Sequence, residues 1–132
     1  MDFGRTWTES RPPGLMLDLA FDPRRPQRLV ASSSEGLVRS EDSGRSWQPV
    51  AREIGLRLAW PKPDALYLID ERGVVHRSRD GGVRREIVST LGTAPEAITA
   101  TGDGTLYAAG KDNALRVSRD EGRSWQVELR LR

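Results

Sequence analysis

The octapeptide SEDSGRSW, residues 40–47, returns near the end of the chain as SRDEGRSW, residues 118–125. A hydroxyl, a carboxylate, a glycine and an indole recur in one order and at one spacing. Self-similarity at a fixed period decides the fold before any single element is read. Aligning the carboxylates places Asp2, Asp42, Asp80 and Asp120 in phase, at intervals of 40, 38 and 40 residues. A glycine follows each two positions later: Gly4, Gly44, Gly82 and Gly122. Tryptophan stands five positions after three of them, as Trp7, Trp47 and Trp125, and the third copy has Arg85 there. Ser40, Ser78 and Ser118 precede the carboxylate by two.

The intervening segments repeat as well. Upstream of the last three boxes lie GLVRS (36–40), GVVHRS (73–78) and NALRVS (113–118). Before those come RLVAS (28–32), ALYLID (65–70) and TLYAAG (105–110), and earlier again LMLDLAF (15–21), LRLAW (56–60) and EAITAT (96–101). A fourth piece follows each box, as in SWQPVA and SWQVELRL. These runs are short, β-prone and roughly alternating, with Gly, Pro, Asp or Asn at the breaks, and none shows helical spacing. The expectation is an all-β chain in which each unit of about 40 residues forms four antiparallel strands, the size of one propeller blade. The predicted limits are a surplus outer strand over 1–10 and blades over 15–50, 55–89 and 95–132, all within a single domain.

The box falls where the third strand must turn back into the fourth. Aspartate accepts backbone N–H groups within its own turn, and the serine hydroxyl adds a further bond to the same loop. Glycine supplies a positive φ. Tryptophan opens the fourth strand and can lie over the turn, burying on the order of 200 Å².

The pattern S-x-D-x-G-x-[ST]-W resembles the Asp-box, or BNR repeat, and the resemblance covers essentially the whole chain. Sialidases, glucan-cleaving glycosidases, sortilin-type receptors and photosystem II assembly propellers carry it. The resemblance implies a β-propeller with the box at the turn between third and fourth strands, on the face away from the binding site. It implies that the fourteen box residues named above are scaffold.

Composition narrows the function classes. The 132 residues suffice for one domain with a modest core. With no cysteine and the single histidine His76, disulfides, thiolate chemistry and a multi-histidine metal centre are excluded within one chain, and neither metal nor cofactor is expected. The net charge is +2, and the 19 arginines are interleaved with acids rather than clustered, which argues against nucleic acid as a partner. No apolar stretch approaches the roughly 20 residues of a membrane span, and MDFGRTW does not read as a signal peptide. The compartment stays open.

Three blades make an arc whose end sheets expose apolar faces, and such faces drive association. Either the chain is part of a larger propeller or copies complete a ring, a dimer of six blades being the favoured form. Function is expected on the loops opposite the boxes, carrying Glu35, Asp70, Glu71, Arg72, Lys111 and Asp112, with a glycan or protein as ligand. The favoured reading is a non-catalytic binding or assembly scaffold. The alternative is a sialidase-like or glucan-cleaving glycoside hydrolase fragment or subunit, which needs two carboxylates about 5–9.5 Å apart. The Arg-Ile-Pro signature of sialidases is missing, and Tyr67 and Tyr107 match as repeat packing. Asp18 and Arg57, on innermost strands, are expected to line a wet central channel, and His76 to be a surface strand residue with no partner acid.

Overall fold

The computed structural model describes residues 14–130. Twelve strands form three antiparallel sheets of four, and no helix occurs among the described residues. The first sheet contains β1 (Met16–Phe21), β2 (Leu29–Ser33), β3 (Gly36–Ser40) and β4 (Gln48–Ala51). The second contains β5 (Arg57–Lys62), β6 (Ala65–Ile69), β7 (Val74–Ser78) and β8 (Arg85–Thr90). The third contains β9 (Pro95–Ala100), β10 (Leu106–Gly110), β11 (Ala114–Ser118) and β12 (Gln126–Arg130). Each sheet is an up-and-down meander, with strands paired in sequence order. The all-β prediction holds. The expected surplus strand, with Asp2, Gly4 and Trp7, lies outside the described residues.

The repeat is visible in detail. A register shift interrupts the pairing of third with fourth strand at Leu37/Val38, Val75/His76 and Leu115/Arg116, the same place in each blade. A bulge there adds twist to the outer half of every sheet.

The blades stack face to face, with β1 beside β5 and β5 beside β9 along the inner side of the arc. Strand β6 shows why: side chains alternate across a strand, and all five of its residues are buried. Leu66 and Leu68 turn toward the first blade, meeting Val30, Leu37, Leu56 and Trp60. Tyr67 and Ile69 turn toward the third, meeting Leu106 and Ala108. Each fully buried leucine contributes about 1.5–3 kcal/mol, so the middle blade holds its neighbours by its two apolar faces. The first blade's far face carries a smaller cluster of Leu29, Ala31 and Val38 beneath Trp47.

Inner strands are also linked by side chains reaching the next strand's backbone. The two carboxylate oxygens of Asp18 accept the N–H of Leu19 at 2.9 Å and that of Leu58, in β5, at 2.9 Å. The Arg57 Nε–H donates to the carbonyl of Glu96, in β9, at 2.8 Å. Both residues were expected simply to line a channel. They border the inner side of the arc, but their polar atoms join one blade to the next.

Candidate functional site

The three corners between third and fourth strands are built alike. Ser40, Ser78 and Ser118 each donate to the carboxylate two residues on, at 2.8, 2.9 and 2.8 Å. Each serine oxygen accepts the N–H of Gly44, Gly82 or Gly122, at 2.8, 2.8 and 2.9 Å. Asp42, Asp80 and Asp120 accept the N–H four residues on, each at 2.9 Å. The chain passes through two successive positive-φ residues, Ser43 and Gly44 in the first corner and Glu121 and Gly122 in the third. The first of each pair is not glycine, which sequence reasoning missed. An immediately preceding aspartate that satisfies the turn internally makes this conformation affordable for them.

These bonds act on the carboxylates. Burial pushes Asp42 up, but the hydroxyl and N–H of Ser46 and the Ser40 hydroxyl outweigh it and leave the pKa below the usual value. The Ser124 hydroxyl and N–H hold Asp120 down at about 2. An ionised carboxylate committed to three donors is a structural group rather than a general acid.

The indoles finish the corners differently. Trp47 Nε1 donates to the Gly44 carbonyl within its own corner, at 3.0 Å. Trp125 Nε1 donates across the blade boundary to Ser89 Oγ, at 3.0 Å, and Ser89 donates onward to the Gly122 carbonyl. Arg85 stands at this position in the second corner and pairs with Glu53, from the connection that follows the first blade. Burial pushes the Arg85 guanidinium down from its ordinary value.

On the opposite face, the turns joining second to third strands meet the connections between blades. Arg57, Glu71 and Lys111 line a cavity of about 290 Å³, with Leu17, Gly55 and Pro95. Lys111 Nζ lies 3.5 Å from Glu96 Oε2. Two of the six loop residues predicted from sequence therefore come together, joined by Arg57.

The other four lie outside the cavity's lining. Asp70 Oδ1 accepts the N–H of Arg72 at 2.9 Å and of Val74 at 3.1 Å. Asp112 is held by a two-pronged bond from Arg116, at 2.9 and 2.7 Å, which lowers its pKa to about 2. Arg72 is exposed, 3.8 Å from Asp70. Glu35 is exposed and donates its N–H to Ser33 Oγ at 3.1 Å.

His76 corrects an expectation. Its ring is largely buried, with Nε2 3.3 Å from Asp70 Oδ2, so it has the partner acid that the sequence did not reveal. Burial raises the Asp70 pKa, but the N–H groups of Val74 and Arg72 and the His76 ring draw it below the ordinary value. Ligand-type atoms of Glu53, Asp70 and His76 lie within 4.8 Å of one another. Arg85 on Glu53 and Arg72 near Asp70 already neutralise those carboxylates, making the group an internally paired network.

Stacked four-stranded meanders with inner strands side by side define the β-propeller class. No family model matches the chain, and no curated protein does. Among solved structures it is similar to YCF48 bound to a D1 peptide, with 19% identity and a TM-score of 0.73 over 96% of this chain and 45% of that one. It is similar to YCF48 from Cyanidioschyzon merolae, with 22% identity and a TM-score of 0.77 over 96% of this chain and 41% of that one. A GH74 xyloglucanase from Xanthomonas campestris matches at 21% identity and a TM-score of 0.66, over 92% of this chain and 20% of that one. The chain spans less than half the length of each. At such identities the likeness establishes the fold, a β-propeller, and nothing finer.

Proposed function

We propose that the chain is a non-catalytic binding or assembly scaffold of Asp-box blades, closed into a ring by a second copy. The observation that carries this reading is the apolar row on β1. Leu19 and Phe21, opposite Ala31 and Leu29 of the first blade's face away from the second, are 43% and 52% exposed. At the other end, the face of the third blade that includes Leu129 has no neighbouring sheet among the described residues, and Leu129 is 53% exposed. The Leu29, Ala31 and Val38 cluster on the first blade's far face is buried beneath Trp47, so the opening lies along β1, whereas both faces of β6 are packed along their length. Two head-to-tail copies would place β9 of one beside β1 of the other, continuing the β1–β5–β9 order, and would give six blades.

The Arg57–Glu71–Lys111 cavity is the ligand site of this reading. A peptide carrying carboxylates suits its two cations, and one solved relative in shape holds a peptide. A glycoside hydrolase reading gains less support, because Asp18, an acid on an inner strand, spends both oxygens on backbone N–H groups.

The absence of cysteine makes the ring testable directly. Cysteines introduced as Leu19→Cys and Thr99→Cys should form an intermolecular disulfide across the closing junction under mild oxidation. Formation of no dimer in the doubly substituted chain would count against ring closure. Turnover of fluorogenic glycosides, abolished by Glu71→Gln, would favour the enzyme instead.

A further inference from the structure

The second corner breaks the rule that the other two obey. Where they have Ser46–Trp47 and Ser124–Trp125, it has Arg84–Arg85. The exchange forfeits a bond, because Ser46 and Ser124 return their hydroxyls to the second oxygen of Asp42 and Asp120. Arg84 keeps only the backbone half of that interaction with Asp80. The capping indole is lost too. Arg85 recovers an ion pair with Glu53, but the Arg84 side chain has no ion pair among the described residues, and a local rule broken in this way marks a place where another demand prevails.

What stands there is a cavity of about 360 Å³ lined by Arg77, Arg79, Asp80, Arg84, Arg85 and Glu86. Four cations face two carboxylates in the lining, and Arg85 is already paired with Glu53 just outside it. Asp80 is already engaged by the Ser78 hydroxyl and the Arg84 N–H, so its charge is partly spent. Two guanidinium groups carry buried N–H donors that find no acceptor among the described residues, Arg77 Nε and Arg85 Nη1. The Arg77 side chain is only 9% exposed, and its one ionic contact among the described residues is a long one, 3.4 Å from Nη1 to Glu121. Buried donors without acceptors are costly, and guanidinium forks match the oxygens of phosphate in spacing and plane.

We propose that this arginine-lined corner binds a phosphate dianion, free or as a terminal monoester, with Arg77 and Arg85 as the buried donors and Arg79 and Arg84 as the exposed clamp. The site lies on the face of the corners, away from the Arg57–Glu71–Lys111 cavity, and is independent of what that cavity binds. Arg79 and Arg84, which form no ion pair across the lining among the described residues, supply two positive charges that favour a dianion over a single carboxylate. The volume exceeds that of phosphate alone, leaving space for the group to which it is esterified.

Isothermal titration calorimetry of the full chain against inorganic phosphate and O-phosphoserine at low salt tests the site. Saturable one-to-one binding should weaken at least tenfold in both Arg79→Gln and Arg84→Gln, while Arg45→Gln in the first corner, an equal loss of charge, leaves it unchanged. Sulfate should compete and acetate should not. Tighter binding of phosphoserine assigns the site to monoesters, and equal binding assigns it to free phosphate. Arg79 and Arg84 are exposed, so their variants should melt like the parent. Binding that is absent, unaffected by either substitution, weakened equally by Arg45→Gln or displaced equally by acetate overturns the proposal.

Discussion

The indole of Trp125 and the hydroxyl of Ser89, 36 residues apart, meet at 3.0 Å across a blade boundary. Ser89 passes a hydrogen bond on to the Gly122 carbonyl and so completes a corner that belongs to the next blade. The first corner closes on itself, through Trp47 and Gly44. One repeated sequence therefore yields two kinds of corner, one self-contained and one that joins blades.

Ser89→Ala should then destabilise the protein by about 1–2 kcal/mol, the cost of leaving a partly buried indole N–H and a carbonyl without partners. Trp47→Phe removes the local bond and also leaves a void beside Leu29, Ala31 and Val38, and should cost about 2–3 kcal/mol. Urea denaturation of Ser89→Ala, Trp125→Phe and the double variant checks the coupling. The double variant should lose less than the sum of the singles.

Acid should loosen the corners. The folded pKa of Asp120 is about 2 against an ordinary 3.8, and those of Asp42 and Asp80 are lowered too. A depressed folded pKa gives stability that is present above the unfolded value and lost as pH falls through the folded one. The urea midpoint should hold from pH 7 to about 5 and fall between pH 4 and 2. Asp42→Asn and Asp120→Asn should start lower and show a shallower fall.

Asp18→Ala removes the acceptor of the Leu58 N–H, on a strand residue only 3% exposed. A loss of about 1–3 kcal/mol is expected, the penalty for a buried donor without a partner. Asp18→Asn keeps an acceptor oxygen and should lose less. Thermal melts of the two variants separate a linking role from a catalytic one, because a catalytic acid would not distinguish itself in stability.

How much of this was legible follows from sequence distance. The Ser40–Asp42–Gly44 corner spans five residues, so its bonds are written in the spacing itself. The strands were legible because β6 and its counterparts carry apolar runs bounded by turn residues. The Trp125–Ser89 and Asp18–Leu58 bonds join residues 36 and 40 positions apart, and only the radial stacking of blades brings them together. Asp70 and His76 were only six residues apart, yet their pairing stayed hidden, since His76 has no counterpart in the other blades to make it stand out. Arg85 was visible as a missing indole, but its Glu53 partner sits in the connection after the previous blade.

Charge on the β1 row should separate assembly from folding. Leu19→Lys with Phe21→Lys places two like charges on a face that the ring would bury, while both side chains are about half exposed in the single chain. The double variant should keep its β-sheet circular dichroism and run at the mass of one chain. Loss of the β signal would instead show that these residues hold the blade itself together.

Sedimentation equilibrium of the unmodified chain, at two concentrations tenfold apart, addresses the central claim most directly. A species of two chains that persists on dilution is the predicted result. A single-chain mass at both concentrations, together with one cooperative melt, would contradict it.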